Sequence, residues 1–149
     1  MAKHNPMDTL IDLTKNQADE AARQLQNLTT SRNNAQEQLS TLHVYREDYV
    51  ERFEKASAAG MSAANYHNFR QFIATLDEAI SQQNKIVAQL DHKLEQGKQR
   101  WFDHKRQLTS YETLLSRQAH QRQLQANRTE QKINDELSMN QFRRRHNTH

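Results

Sequence analysis

The sequence predicts an all-α protein, an antiparallel two-helix coiled-coil hairpin with an overhanging C-terminal helical extension. Only 34% of the 149 residues are hydrophobic, and the chain has just two Gly and one Pro. So few chain-breaking residues cannot supply the many turns of a compact β or α/β domain. The dominant residues, Gln, Ala, Leu, Arg, Lys and Glu, all favour helices. Apolar residues also recur at alternating spacings of three and four, which is typical of coiled coils.

The first helix is predicted over about residues 6–56. Asn5 is a good N-cap, and Pro6 suits the first helical position because its missing N–H would have no partner there. The three–four spacing then runs unbroken, with two arginines whose aliphatic stems can lie across the seam. The seam positions are Ala21, Leu25, Leu28, Arg32, Ala35, Leu39, Leu42, Arg46, Tyr49 and Phe53.

A turn is predicted over about residues 57–62, where the chain becomes small and contains Gly60. Ser62 is a suitable N-cap for a second helix, which is predicted over about 63–140. Its seam positions are Tyr66, Phe69, Ile73, Leu76, Ile80, Gln83, Val87, Leu90, Leu94, Gly97, Trp101, His104, Leu108, Tyr111 and Leu115.

The two seams pair in one register about this turn. Tyr49 then faces Ile73, and Leu25 faces Gly97, so that a large residue lies against a small one. Gly inside a helix costs about 1 kcal/mol relative to Ala, and close helix packing gives Gly97 a reason to be there. We therefore expect residues 1–149 to form a single antiparallel coiled-coil domain.

The C-terminal part of the chain is polar and basic. Residues 116–149 contain seven Lys or Arg residues against three Asp or Glu, within a formal net charge of +3 for the whole chain. The seam weakens there, which predicts a fraying or partner-ordered extension and a basic tail over 141–149. Such a tail could contact nucleic acid, a membrane surface or an acidic protein. It could equally be a solvated helix end whose cations suit the helix dipole.

One stretch of the hairpin is richer in apolar residues than a coiled-coil seam requires. Tyr45 on the first helix and Phe72, Ala79 and Ile86 on the second fall at heptad position g. In an antiparallel pair the g positions lie along one side of the hairpin, and most e positions on the other side are polar here. An apolar patch rimmed by polar residues indicates a protein–protein contact surface. Two other interpretations remain open, namely rings that fold over the seam to thicken it, and homo-oligomerisation through this face.

Two motifs resemble those of a known family. LHVYREDYV in the first helix and NYHNFRQFIATLDEAI in the second are similar to the aromatic-rich stretches around the turn in the FliJ family of flagellar type III export proteins. Chain length and the polar basic tail agree, so the resemblance covers the whole chain. It implies an antiparallel coiled coil similar to the central stalk subunit of rotary ATPases.

The resemblance also implies a non-enzymatic role with three partners. Family members insert the terminal end of the hairpin into the pore of the hexameric export ATPase FliI, promoting its assembly and activity. They contact the export gate protein FlhA, which couples the ATPase to the gate, and they escort empty export chaperones. The resemblance further implies a location in the cytoplasm, peripheral to the inner membrane at the export apparatus. The family's gate-binding surface corresponds here to Gln38, Leu42, Tyr45, Tyr49, Phe72, Leu76, Ala79 and Gln83.

Position 83 departs from the family pattern, in which relatives carry His. Gln83 keeps a hydrogen-bonding group but cannot become cationic near neutral pH. Any charge that the family places at this point is therefore in question for this chain.

No residue pattern predicts a catalytic site, a cofactor or a metal. The chain lacks cysteine, which excludes thiolate metal ligands and fits a reducing cytoplasm. It has no phosphate-binding glycine loop, no secretory signal and no apolar run of about 20 residues to span a bilayer. His146 and His149 are spaced i, i+3, but so polar a tail is a poor metal cage. We expect no direct membrane insertion and no nucleic-acid partner.

Two alternative functions remain on sequence grounds. The chain could be the equivalent stalk of a virulence type III secretion system. It could also be a nucleic-acid-binding coiled coil that uses its basic tail.

Overall fold

A computed structural model describes residues 5–147, and this part of the chain folds into two long α-helices. Helix α1 spans Pro6–Ala59 and helix α2 spans Ala63–Asn147. No strand occurs within 5–147, and side chains of α1 pack against side chains of α2. The predicted all-α helical hairpin is therefore confirmed. Residues 148 and 149, the end of the predicted basic tail, lie outside the described residues.

Asn5 and Pro6 start α1 as the sequence predicts. The Asn5 Oδ1 atom accepts a hydrogen bond from the Met7 backbone N–H at 3.0 Å. The Asn5 carbonyl oxygen accepts another from the Asp8 N–H at 2.9 Å. Two of the N–H groups that a helix start leaves without an intrahelical partner are thereby satisfied, and Pro6 has none to satisfy.

The turn between the helices is set by Gly60 and Ser62. Gly60 has a φ of +98°, a left-handed conformation that Gly adopts far more readily than other residues. Helix α1 continues up to Ala59, three residues beyond the predicted end, because the small residues before Gly60 remain compatible with a helix. Ser62 caps α2, since its Oγ accepts a hydrogen bond from the Asn65 N–H at 3.2 Å.

The described chain divides into two compact units. One consists of residues 17–104 and the other of residues 5–16 with 105–147. The prediction of a single domain over 1–149 stays a prediction. In the 17–104 unit every predicted seam residue is buried or half-buried apart from Tyr66, which is 44% exposed. Its central cluster consists of Ala35, Leu39, Ile80 and Val87, with Leu42 and Leu90 packed against it.

Gly97 marks a close approach of the two helices within the 17–104 unit. A Cβ atom placed on Gly97 would lie 3.3 Å from Leu28 Cδ1 and 3.5 Å from Leu25 Cδ1. The predicted pairing of Leu25 with Gly97 is thereby confirmed. The leucine side chains occupy the space that a larger residue on α2 would need.

We expect Gly97→Leu to lower the free energy of unfolding by about 1–3 kcal/mol, because the new side chain competes with Leu25 and Leu28 for space. Gly97→Ala should change the free energy of unfolding by less than about 1 kcal/mol, because its gain in helix propensity offsets the cost of a small shift of Leu28. Gln99→Leu, at an exposed position two residues away, is the control. Denaturant unfolding followed by circular dichroism makes the measurement. A Gly97→Leu protein as stable as the Gln99→Leu protein would contradict close packing here.

The other unit has a short buried segment followed by a long exposed helix. Thr14 is 3% exposed and Leu108 is 8% exposed, and the Thr14 hydroxyl donates to the Leu10 carbonyl oxygen at 2.8 Å. From Ser116 to Asn147 every residue is exposed. This part of α2 is the expected C-terminal extension.

Helix α2 ends later than the sequence predicts, at Asn147 instead of about residue 140. Its last turn holds Arg144, Arg145 and His146. Cationic side chains there interact favourably with the partial negative charge at a helix C-terminus. No Gly or Pro lies between Leu137 and Asn147 to end the helix earlier.

Candidate functional site

The eight residues predicted to form the export-gate surface all lie in the 17–104 unit, four on each helix; we call them the aromatic patch. Contacts join the two sets. Gln83 Nε2 donates to Gln38 Oε1 at 3.2 Å, and the ring centroids of Tyr49 and Phe72 are 4.4 Å apart. The members of the patch are Gln38, Leu42, Tyr45, Tyr49, Phe72, Leu76, Ala79 and Gln83.

Exposure divides the aromatic patch into a surface set and a supporting set. Tyr45 is 60% exposed and Phe72 is 45% exposed, and Gln38 is exposed as well. Leu76, at 8% exposure, belongs to the core. Tyr45, Phe72 and Gln38 therefore form the exposed surface of the patch, and Leu76 lies in the core. The half-buried members are Leu42, Tyr49, Ala79 and Gln83.

The two exposed rings differ in how they are held. Tyr45 packs against no other aromatic ring in 5–147, and 60% of the residue is exposed. Phe72 packs on Tyr49, whose ring also lies 5.1 Å from that of Phe69. These tilted arrangements are favourable for aromatic pairs and restrict the rings. Phe72 is thus partly a core residue and partly a surface residue.

Gln83 connects the patch to the backbone of α1. Its Nε2 donates to the Ala35 carbonyl oxygen at 2.9 Å in addition to Gln38 Oε1. A half-buried amide with these partners avoids the cost of an unsatisfied polar group. Beside it lies a shallow surface groove of about 650 Å³. The groove is lined by Asn34, Glu37, Gln38, Thr41, Leu42 and Gln83.

Two ion pairs cross between the helices on the other side of the hairpin. Arg32 Nε lies 2.8 Å from Asp91 Oδ1, and Arg46 pairs with Asp77 in the same way. The hydrogen bond from Arg46 to Asp77, reinforced by their opposite charges, raises the pKa of Arg46 above its usual value. Asp77 and Asp91 occupy heptad position e, so these charges lie away from the g positions of Tyr45 and Phe72.

Comparison with known proteins decides the family. The model of a family described as "Flagellar FliJ protein" matches residues 3–147. The chain belongs to the FliJ family. The resemblance read from the two aromatic-rich motifs is confirmed, and the chain is a flagellar export component.

FliJ proteins from three bacteria match along almost their whole length. Those of Escherichia coli (strain K12) and Salmonella typhi are each 33% identical over 138 residues, covering 93% of this chain and 94% of the relative. The FliJ protein of Bacillus subtilis (strain 168) is 23% identical over 142 residues, covering 95% of this chain and 97% of the relative. The match therefore includes the exposed C-terminal part of α2 as well as the paired helices.

Other exposed residues in this part of the FliJ-family hairpin were not assigned to the site from the sequence. Ile86 is 44% exposed; its g position beside Phe72 and Ala79 was noted from the sequence, but the family's gate-binding surface does not include it. Val44, 62% exposed, occupies position f, where no periodic pattern indicates a role. The groove residues Asn34 and Thr41 are polar and carry no hydrophobic signal.

Neither a metal site nor a membrane span stands out in the described residues of this FliJ-family chain. Within 5–147 no three His, Cys, Asp or Glu side chains are grouped to hold a metal ion. His149, one of the two histidines considered from the sequence, lies outside that range. None of the described helices has a segment long and apolar enough to cross a bilayer.

Proposed function

We propose that this FliJ-family chain is a non-enzymatic stalk that couples the flagellar export ATPase to the export gate. The terminal end of the hairpin enters the pore of the hexameric ATPase, an FliI-like protein, and promotes its assembly and activity. The aromatic patch binds the gate, an FlhA-like protein. The chain also escorts export chaperones, needs no cofactor, and works in the cytoplasm at the inner face of the inner membrane.

The observation that carries the proposal is the exposure of Tyr45 and Phe72 on a two-helix protein. Their exposed fractions are 60% and 45%, and no third element among the described residues covers them. Tyr and Phe are favoured anchors of protein–protein interfaces. An apolar patch exposed in a chain this polar is best explained as a docking surface.

The stalk role is supported by the helical construction and by the family. An α-helix with its side chains is about 10–12 Å across, so a two-helix pair is slender enough to enter the central opening of a ring. In the 17–104 unit the seam is continuous and includes a close approach at Gly97. Torque or position can be transmitted only by an element that resists bending, and a continuously packed pair of helices does so better than one helix.

The ATPase role has a stoichiometric test. Titrating the purified chain into the export ATPase of the same organism should raise the rate of ATP hydrolysis, and the effect should saturate near one chain for about six ATPase subunits, because a ring has one central pore. Tyr45→Ala is the control and should stimulate equally, since the aromatic patch is assigned to another partner. Saturation at one chain per ATPase subunit, or no stimulation at all, would contradict a central stalk.

The same protein preparation distinguishes the alternative functions. A nucleic-acid-binding coiled coil would bind duplex DNA with an affinity that falls steeply with salt and would leave ATP hydrolysis unchanged. Capture of partners from the native host by the intact chain separates flagellar from virulence secretion. Membership in the FliJ family favours the flagellar apparatus.

A further inference from the structure

We propose that the aromatic patch recognises an uncharged, apolar partner surface that presents a hydrogen-bond acceptor to Tyr45, and that opposite charges contribute little to the binding. This inference rests on the proposed gate-binding role of the patch and specifies the chemistry of the partner.

The side of the hairpin that carries Tyr45 and Phe72 has no charged residue over a long stretch. It comprises heptad positions g and c of residues 34–45 on α1 and of residues 68–89 on α2; we call it the uncharged face. All eleven of these positions hold Asn, Gln, Thr, Ala, Tyr, Phe or Ile, although 26% of the chain is charged. The groove beside Gln83 opens on this face.

Charges lie at its margins and on the opposite side. Glu37 lines the groove from position f. Beyond the α1 end of the uncharged face, Asp48 is neutralised by Arg52, with Oδ2 and Nη2 3.2 Å apart. The two ion pairs that join the helices use carboxylates at position e. Glu78 borders the face on α2, where its Oε1 accepts a hydrogen bond from Gln82 Nε2 at 3.3 Å. A partner centred on Tyr45 and Phe72 would therefore meet charges only at the margins of the uncharged face, namely Glu37, Glu78 and the Asp48–Arg52 ion pair.

Four of the eight polar side chains of the uncharged face form hydrogen bonds within the chain. The hydroxyl groups of Thr41 and Thr75 donate to the carbonyl oxygens of Glu37 and Gln71, each at 3.0 Å. The Tyr45 hydroxyl makes no hydrogen bond with any residue in 5–147. Its phenol is therefore a hydrogen-bond donor of the patch that is left for a partner.

These properties determine what can bind well. A charged group of the partner placed over this face would lose its water without gaining an opposite charge, which is costly. An apolar surface avoids that cost, and an acceptor opposite Tyr45 satisfies the phenol. Because salt screens interactions between charges and has little effect on apolar contact, the affinity should depend only weakly on ionic strength.

The test uses the intact chain and the purified cytoplasmic part of the export gate protein from the same organism. Isothermal titration calorimetry in roughly 0.05 M and 0.5 M NaCl compares conditions of weak and strong screening. We expect the Kd to change by less than about threefold, whereas an interface of complementary charges would weaken more than about tenfold. Tyr45→Phe, which removes only the hydroxyl group, should raise the Kd by about 2- to 10-fold, as loss of one hydrogen bond does.

A matched pair of charge insertions tests whether the uncharged face is the side of the hairpin that binds the gate protein. Thr41→Glu places a carboxylate on the uncharged face, and Asn84→Glu places one on the opposite side; both positions are exposed. Neither has a Lys or Arg three or four residues away that could neutralise the new charge. Thr41→Glu should weaken gate binding by about tenfold or more, while Asn84→Glu should stay within about twofold. Circular dichroism checks that both variants fold.

The outcomes separate the two proposals. If the original chain binds the gate but loses more than tenfold in affinity at high salt, the inference about partner chemistry is overturned and the docking role survives. Equal weakening by Thr41→Glu and Asn84→Glu overturns it as well. If the original chain does not bind the gate at either salt concentration, the proposed function itself fails.

Discussion

Replacing Ile80 with alanine is expected to lower the free energy of unfolding by about 2–4 kcal/mol. Ile80 is 8% exposed and packs in the central cluster with Leu39 and Val87, so removing three carbon atoms leaves a cavity between the helices. Ile86→Ala makes the same chemical change on the same helix at a residue that is 44% exposed. It should cost less than about 1 kcal/mol, because less apolar surface leaves a buried environment.

The comparison is made by denaturant unfolding followed by far-ultraviolet circular dichroism, with the slope of each transition compared as well as its midpoint. Ile80 and Ile86 both lie in the 17–104 unit, so if unfolding occurs in two steps both substitutions should act on the same step. If Ile80→Ala and Ile86→Ala reduced stability equally, the seam identified here would not be the main source of stability.

Tyr45→Ala is expected to weaken binding to the export gate protein by about 30-fold or more, the loss typical of an interface hot spot. Its thermal midpoint should remain within a few degrees of the original, since Tyr45 is 60% exposed and its ring contacts no other ring in 5–147. Phe72→Ala should weaken binding similarly but also cost about 1 kcal/mol of stability, because its ring packs on Tyr49. Calorimetric titration and thermal unfolding of each variant measure the two effects.

Val44→Ala is the matched control for these substitutions. Val44 is 62% exposed and lies next to Tyr45 in sequence, but at position f, outside the uncharged face. The Val44→Ala substitution should change the affinity for the gate protein by no more than about twofold. If Tyr45→Ala melted the hairpin, its ring would be part of the core; if Val44→Ala weakened binding as strongly, the docking surface would be on another face of α1.

The pairing of the helices could be predicted from the sequence because two heptad patterns joined by a short turn allow one register. The contacts of Tyr49 with Phe72, Gln38 with Gln83 and Leu25 with Gly97 all follow from it. The caps follow as directly, since Asn5 and Ser62 accept hydrogen bonds from backbone N–H groups that the helix leaves unpaired.

The end of α2 could not be predicted in the same way. The end of a helix can be predicted from the sequence when a Gly or Pro interrupts the helix, as Gly60 does for α1. Near residue 140 there is no such residue. The loss of apolar seam residues there did not indicate correctly where the helix ends. Helix α2 continues to Asn147 because good helix formers and the cations of its last turn support it without packing.

The sequence by itself determined the helical fold, the position of the turn, the register and the side of the hairpin on which the aromatic patch lies. Periodicity determines direction around a helix axis, so these properties need no knowledge of neighbouring atoms. Only the tertiary structure decided how deeply each side chain is buried: Leu76 is buried, Phe72 is partly buried, and Tyr45 projects into solvent. Depth depends on how far apart the helices lie and which rings pack on which, and that is set by all the side chains of the seam together.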